Sequence, residues 1–311
     1  MNFFISSSRN YLIAFGSILG ILLVLVASGT EWLIRTQVEP NDSLYYHLQL
    51  FRNARTSNIA LGDSHTANGF AASNDFMNLG FPNENISAIA RKAAVYIKGK
   101  PSGQVILQAD PHMFAAYQVK KDVGYLSYLE NPVSPSSVAL SEIRLLNDYH
   151  RPKVFAYWLA YLQHGKLQAH DVIQPNGWLP SDGNWLAVNP EKRISQARWR
   201  ADMQRPVADF ATLPPARDYR DTVRLLVHQG WKPCLVEYPA SRELLDSTQD
   251  AAFEKARAWY RALAAETGVK YLGYHAIYRE RPELFSNQDH LNPPGAKAFT
   301  ARVIQECFGA D

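Results

Sequence analysis

Short apolar stretches alternate with amphipathic helical patterns along most of the chain after residue 57. Each stretch has the length and composition of a buried strand, and helical patterns such as 84–99 and 251–268 lie between them. Strands that are joined through helices pair in parallel, and helices then cover both faces of the sheet. We therefore predict an α/β fold with a parallel sheet flanked by helices. The five apolar stretches are NIALGDS (58–64), DFMNLGF (75–81), GQVILQAD (103–110), KPCLVEYP (232–239) and VKYLGYH (269–275).

An uncharged apolar run, YLIAFGSILGILLVLVASG, extends from Tyr11 to Gly29 and is long enough to cross a membrane as a helix. Arg9 precedes it and acidic residues follow, which favours a cytoplasmic N-terminus with the rest of the chain outside. A cleaved signal peptide is the alternative. The run is longer than a signal core and no clear cleavage site follows, so we favour a retained anchor.

The alternation breaks between about residues 112 and 215, where aromatic residues, proline and glycine are frequent. We interpret this segment as an insertion of helices and loops over one end of the sheet. The predicted organisation is a cytoplasmic tip and transmembrane anchor (1–35), a juxtamembrane linker (36–56) and one α/β domain (57–311) that carries the insertion.

Composition narrows the class of function. Lys+Arg number 32 against 29 Asp+Glu, for a net charge of +3 without a basic block, so nucleic acid is not an expected partner. The sequence contains neither a phosphate-binding glycine motif nor a zinc-type Cys/His spacing, and we expect no cofactor and no metal. The two cysteines, Cys234 and Cys307, could pair in an oxidising compartment, but we favour two buried thiols.

Ser64 and His290 are the candidate catalytic pair. Ser64 follows the first predicted strand of the domain, and Asp63 before it is placed to cap the next helix. His290 lies in the loop after the last predicted strand. Because the carboxyl ends of parallel strands meet at one edge, we predict that the two side chains approach within hydrogen-bond reach. A serine beside a base can act as a nucleophile.

Three short blocks resemble the SGNH (GDSL-like) hydrolases and acyltransferases: GDSH at 62–65, NLG at 78–80 and DHLNPPGA at 289–296. The resemblance implies a flavodoxin-like three-layer fold with Ser64 as nucleophile and His290 as base. It also implies an oxyanion hole, for which the backbone N–H groups of Ser64 and Gly80 are the candidates. The family's further oxyanion asparagine has no counterpart, since this chain has Gln108 and Asp110 in that block.

The residue that orients His290 is left open between two candidates. The family's acid lies three residues before the histidine, and this chain has Asn287 there. Asp289, directly before His290, is the nearest carboxylate. An asparagine can hold an imidazole tautomer, whereas a carboxylate also stabilises the imidazolium.

With its N-terminal helix, the chain resembles the extracytoplasmic SGNH-like proteins that work beside membrane-bound O-acyltransferases, such as the accessories of alginate acetylation and teichoic-acid D-alanylation. The resemblance implies serine-dependent O-acyl transfer, chiefly of acetyl groups, onto an extracytoplasmic polysaccharide, with polysaccharide synthesis or export proteins as partners. The alternatives are a membrane-anchored carbohydrate or lipid esterase and a non-catalytic polysaccharide-binding scaffold. The loop tryptophans Trp178 and Trp185 are candidates for stacking on the acceptor sugar, with burial in a core as the alternative.

Overall fold

The structure is a computed structural model that describes residues 3–73, 75–119, 143–146, 150–165 and 173–309, with side chains from residue 10 onward. The chain forms two compact units. One consists of Met1–Tyr46 with Asn131–Asp171, and the other consists of His47–Glu130 with Val172–Asp311. The second, which we call the sheet unit, contains Ser64 and His290. The predicted insertion is thus shared between both units, and its residues 120–142, 147–149 and 166–172 lie outside the described residues.

The sheet unit contains a five-stranded sheet in the order β2-β1-β3-β4-β5, and all neighbouring strands are parallel. Each strand lies inside one of the five predicted stretches, so the predicted α/β class with a parallel sheet is confirmed. The order reverses between β1 and β3, and ligands of open parallel sheets bind beside such a point. The strands are β1 Ile59–Leu61, β2 Met77–Asn78, β3 Gln104–Gln108, β4 Lys232–Glu237 and β5 Lys270–Gly273.

Helices flank this sheet. The helices of the sheet unit are α3 Ser64–Gly69, α4 Ile86–Ile97, α5 Ala116–Val119, α7 Pro190–Gln204, α8 Pro214–His228, α9 Arg242–Ser247, α10 Ala251–Thr267 and α11 Pro293–Phe308, and α2 Ser43–Asn53 continues into it from the other unit. α4, α8 and α10 pack together as one layer, whereas α3 packs against α11. Single 3-10 turns lie at Pro111–Phe114, Trp185–Ala187, Phe210–Thr212 and Pro282–Leu284.

The core between the sheet and α11 is built from alternate strand residues. Ala60, Ile106 and Cys234 are buried there against Phe299 of α11. This follows from the two-residue period of a strand, which places every second side chain on the same face.

Cys234 and Cys307 form a disulfide that joins β4 to the last turn of α11, with their Cα atoms 5.9 Å apart. Our expectation of two buried thiols is therefore wrong. The two cysteines are separated by 73 residues, and their approach depends on how α11 returns to β4. No local pattern in the sequence reports that geometry.

The other unit contains α1 Phe3–Leu33, which continues through Ile34–Val38 and Glu39–Asn41, together with 3-10 turns at Arg144–Leu146 and Arg151–Lys153 and the helix α6 Val154–His164. The helical stretch Asn10–Asn41 is long and apolar enough to cross a membrane, and its most apolar 18 residues have a mean hydropathy of 2.5. The C-terminal end of α1 is tied to the rest of this unit: Glu31 accepts hydrogen bonds from the backbone N–H groups of Arg144 and Leu145.

Candidate active site

Ser64 is the first residue of α3, directly beyond the carboxyl end of β1. The preceding Asp63 caps this helix, as predicted, because its carboxylate accepts a hydrogen bond of 2.9 Å from the backbone N–H of His65. The Ser64 side chain is only half-buried. The local fold therefore presents the hydroxyl at the sheet edge, at the point where the strand order reverses.

His290 lies between β5 and α11, and its Nε2 is 2.8 Å from Oγ of Ser64. The predicted approach of these two side chains is confirmed. Residues 226 positions apart are brought together because β1 and β5 both end at the same edge of the parallel sheet. This distance is that of a serine whose proton a histidine can accept.

Nδ1 of His290 lies 3.0 Å from Oδ1 of Asn287 and 3.0 Å from Oδ1 of Asp289. Only the Asn287 oxygen meets the angular requirement of a hydrogen bond, and that oxygen also accepts from the backbone N–H groups of residues 289 and 290. An amide oxygen can only accept, so Nδ1 carries the proton and Nε2 is left to accept from Ser64. Both candidate orienting residues therefore contact His290, in different ways.

Asp289 is buried and its other oxygen, Oδ2, is held from three sides. Arg200 Nε lies 2.5 Å away, Gln204 Nε2 2.7 Å away and His65 Nε2 3.3 Å away. Burial alone would raise the pKa of Asp289, but the neighbouring His290, His65 and Arg200 hold it well below its usual value. A permanently charged carboxylate therefore stands beside the histidine.

His65 connects Asp289 to a second buried carboxylate. Its Nδ1 lies 2.7 Å from Oδ2 of Asp110, and its ring stands edge-on to that of His290 at a centroid distance of 5.1 Å. Burial would lower the pKa of His65, but the charge of Asp110 and the hydrogen bonds of both carboxylates raise it to about 10. His65 is thus a buried cation at neutral pH, placed behind the catalytic candidates.

Gln108 closes the network beneath Ser64. Its Nε2 donates to Asp63 and Asp110 at 2.9 and 2.7 Å, and its Oε1 accepts from the backbone N–H of Asp63 at 2.7 Å. His112 Nε2 lies 2.8 Å from Oδ2 of Asp63. Burial would raise the pKa of Asp63, but the neighbouring His112 and His65 lower it. Gln108 and Asp110 therefore belong to a buried network.

The expected oxyanion donors differ in availability. The N–H of Gly80 donates to Oδ1 of Asn78 at 2.9 Å, whereas the N–H of Ser64 belongs to the first turn of a helix, where amides have no acceptor within the helix. Gly80 has a clear packing reason to be glycine, since a Cβ there would stand 2.8 Å from Thr66 and 2.9 Å from the backbone of Ala67. The close packing of this loop on α3 requires that residue.

The two tryptophans of the insertion differ in exposure. Trp185 is 1% exposed and packs into the core beside Phe285, while its indole N–H donates to Glu243. Its expected role in sugar stacking is wrong, because no face of the ring is open. Trp178 is half-buried, lines a surface cleft with Lys297, and donates its indole N–H to the carbonyl of Asn68 in α3. Its role in binding stays a prediction.

Two groups of side chains in the described part of the sheet unit bring potential metal ligands within 4.8 Å of one another. His112 already pairs with Asp63, and His65 pairs with Asp110, which belongs to neither group. The Arg200 guanidinium on Asp289 would repel a cation at the second group. The groups are Asp63, His65 and His112, and His65, Asp289 and His290.

The sequence predicts Ser64, His290, Asn287 and Asp289 as site residues. It does not predict the buried contacts that Arg200, Gln204 and His65 make with Asp289. Arg200 and Gln204 are four residues apart on one face of α7. The i, i+4 spacing of Arg200 and Gln204 is the one signal that places both on one helical face.

No protein-family model matches the chain, and no curated protein matches it.

Proposed function

We propose that the chain is a membrane-anchored, SGNH-like serine O-acyltransferase that transfers acyl groups, chiefly acetyl, onto an extracytoplasmic polysaccharide. The observation that carries this proposal is the contact of 2.8 Å between Ser64 Oγ and His290 Nε2, together with the hold of Asn287 and Asp289 on Nδ1. The three blocks that resemble SGNH proteins and the sheet order 2-1-3-4-5 also support it.

In the first half-reaction, Oγ of Ser64 attacks the acyl carbonyl while its proton passes to Nε2 of His290. The new C–O bond forms as the carbonyl π bond breaks, and the resulting oxyanion faces the N–H of Ser64. When the intermediate collapses, the donor's leaving group departs with the proton from Nε2. Asp289 stabilises the imidazolium that exists between these events.

In the second half-reaction, a sugar hydroxyl attacks the Ser64 ester and its proton passes to Nε2 of His290. Collapse releases the acylated sugar, and the proton returns to Oγ of Ser64. Atoms and charges balance without a cofactor. The acyl donor is supplied by a membrane-bound partner in this proposal.

The proposed location outside the cytoplasm is supported by two features. The disulfide between Cys234 and Cys307 is the kind of bond that persists in oxidising compartments. The contacts between Glu31 and the 144–145 turn make the end of α1 part of a folded unit, which supports a retained anchor over a cleaved signal peptide.

An esterase is the second candidate, because Ser64 and His290 are only half-buried and water can reach a Ser64 ester. Transfer needs an acceptor held close and water kept out. The direction of the effect in cells separates the two functions. Loss of a transferase leaves the surface polymer under-acylated, whereas loss of an esterase leaves it over-acylated.

The test uses the full chain in detergent with a fluorophosphonate probe, and Ser195→Ala, an exposed serine of α7, as the matched control. We expect stoichiometric labelling of the wild type and of Ser195→Ala, and none of Ser64→Ala. Slow cleavage of p-nitrophenyl acetate should follow the same pattern, since removal of the nucleophile leaves only water as attacking group. In cells, Ser64→Ala should leave the polymer under-acylated. Absence of labelling together with normal acylation in Ser64→Ala cells would identify a non-catalytic scaffold.

A further inference from the structure

The helix α6, Val154–His164, is apolar on two sides. One side packs on the C-terminal end of α1: the indole N–H of Trp158 donates to Oγ1 of Thr30 at 3.0 Å, and Tyr161 meets Trp32 edge-on at 6.1 Å between ring centroids. Within the unit that contains α1, α6 is therefore fixed beside the end of the membrane-spanning candidate.

The other side of α6 presents a row of large apolar side chains to the outside. Phe155, Leu159 and Leu162 are 82%, 46% and 75% exposed. Their spacing of four and three residues places them on one helical face. A helix that is apolar all round is ordinarily buried in a core or in a membrane. Among the described residues, no side chain covers this face enough to bury it.

The position of this row along α1 identifies its environment. The uncharged run of α1 ends at Gly29, and Trp158 packs against that residue and bonds to the next. The row therefore stands at the level where α1 leaves the hydrocarbon. Tryptophan and tyrosine are enriched at this level in membrane proteins, because their rings are apolar and their N–H or O–H groups reach water.

The length and the charges of α6 favour a position in the membrane surface. Eleven residues span about 16 Å as a helix, roughly half of the hydrocarbon thickness, so α6 cannot cross the bilayer. Arg151 and Lys153 precede it and place positive charge where anionic lipid headgroups lie. Short apolar helices with basic ends bind in the plane of the interface.

We propose that α6 is a second membrane-contacting element, whose row Phe155, Leu159 and Leu162 inserts among the lipids of the leaflet in which the C-terminal end of α1 emerges. The contact rests on continuity with the apolar surface of α1, whose residues from Tyr11 to Val26 are largely exposed. It does not depend on the proposed acyl transfer, and the two are tested separately.

The test places a polarity-sensitive nitrobenzoxadiazole label at Leu159→Cys in the full chain, reconstituted in phosphatidylcholine–phosphatidylglycerol vesicles that contain no other protein. The native cysteines are paired in a disulfide and do not take the label. The matched control is Leu186→Cys, a leucine of the sheet unit with 54% exposure. Phe155→Cys provides a second position on the same row, should Leu159→Cys fail to fold.

We expect blue-shifted emission at Leu159→Cys, quenching by doxyl-labelled lipids about twofold stronger than at Leu186→Cys, and weaker quenching by aqueous iodide, as for an interfacial helix. Equal iodide quenching at both positions, with no effect of doxyl lipids, would overturn the proposal. Protection that arises only after envelope membrane proteins are reconstituted alongside would also overturn it, and would assign the row to a protein partner.

Discussion

At the scale of single residues, two side chains contact Nδ1 of His290, the atom that a single carboxylate contacts in a Ser-His-Asp triad. Asn287 bonds to Nδ1 of His290 and to the backbone of the same loop, so it fixes the tautomer and the ring position. Asp289 supplies charge at 3.0 Å without a well-aligned hydrogen bond. Arg200 and His65 hold that charge from the opposite side.

This division predicts opposite shifts in the pH–rate profile of Ser64 acylation. Asp289→Asn removes a negative charge beside the imidazolium, so the acidic midpoint should move to lower pH by about one unit. His65→Gln removes a positive charge and should move the midpoint to higher pH by a similar amount. Burst kinetics with an activated acetyl ester between pH 4 and 9 would measure both.

The maximum rate of Ser64 acylation tests whether Asn287 and Asp289 orient His290 in a way that other residues of the same loop do not. Asn287→Ala and Asp289→Asn should each slow acylation about a hundredfold, the lower end of what a positioned base contributes. Gln288→Ala in the same loop is the control and should retain the wild-type rate. Full activity in both single variants would show that Ser64 and His290 act as a dyad. Midpoint shifts in the same direction for Asp289→Asn and His65→Gln would contradict the electrostatic account.

The contact between Ser64 and His290 could be predicted from sequence because parallel strands end at one edge, and both residues follow predicted strands. The buried network of Arg200, His65 and Asp110 could not be predicted in this way. Arg200 reaches Asp289 across 89 positions of the chain, from a helix whose packing the sequence does not specify. The burial of Trp185 could not be predicted for a related reason, since a loop rich in glycine and proline can still fold into a core.

At the scale of elements, a buried lysine joins three segments of the sheet unit. Lys92 of α4 is fully buried and lies 2.5 Å from Glu84. It also donates to the carbonyl of Leu79 at 2.7 Å and lies 2.8 Å from Nε2 of His47 in α2. Leu79 directly precedes Gly80, so this cluster fixes the loop that packs on α3.

Lys92→Met should lower the free energy of unfolding by about 3–5 kcal/mol, because it removes the positive charge that offsets the buried Glu84 carboxylate. Lys98→Met, at the exposed end of the same helix, should cost less than about 0.5 kcal/mol. Urea unfolding of the full chain in detergent compares the two variants. Adding Glu84→Gln to Lys92→Met should recover part of the loss.

The same cluster predicts a pH dependence. Burial raises the pKa of Glu84 to about 7, although Lys92 opposes this shift. The folded state therefore binds this proton more tightly than the unfolded state, whose carboxyl has a pKa near 4.5. The contribution of Glu84 to stability falls as pH rises from about 4.5 to 7. The deficit of Lys92→Met should grow between pH 5 and pH 8, and a deficit that is constant with pH would contradict this assignment.

At the scale of the whole molecule, the disulfide is the only covalent link between distant elements in the described chain, and it fastens α11 to β4. Because α11 begins directly after the His290 loop, this link also stabilises the segment of the chain that contains His290. Reduction should therefore affect both stability and acylation.

Cys234→Ala with Cys307→Ala should lower the free energy of unfolding by about 2–5 kcal/mol, the usual effect of removing a native disulfide. Thermal unfolding of the full chain in detergent, with and without reductant, measures the loss, and the double variant should be insensitive to reductant. Two titratable thiols in denatured, unreduced protein purified from an oxidising compartment would show that the bond is absent.

The unit that contains α1 also determines which part of the chain is suitable for experiments. A chain begun near Asn41 would lack Thr30 and Glu31, the residues that bind Trp158 and the 144–145 turn. It would thus expose apolar surface that α1 covers in the full chain. The sequence indicates α1 by its apolar run, but no local pattern shows that the later helix α6 packs on its end.

The contact between Thr30 and Trp158 spans 128 positions, and this separation has a consequence for synthesis. At roughly 5–20 residues per second, the ribosome needs about 6 to 26 s to make Trp158 after Thr30. In the proposed anchoring, α1 enters the bilayer during that time without the helix that later packs on its end. Its own apolar length then has to be sufficient for insertion, and α6 packs on α1 only afterwards.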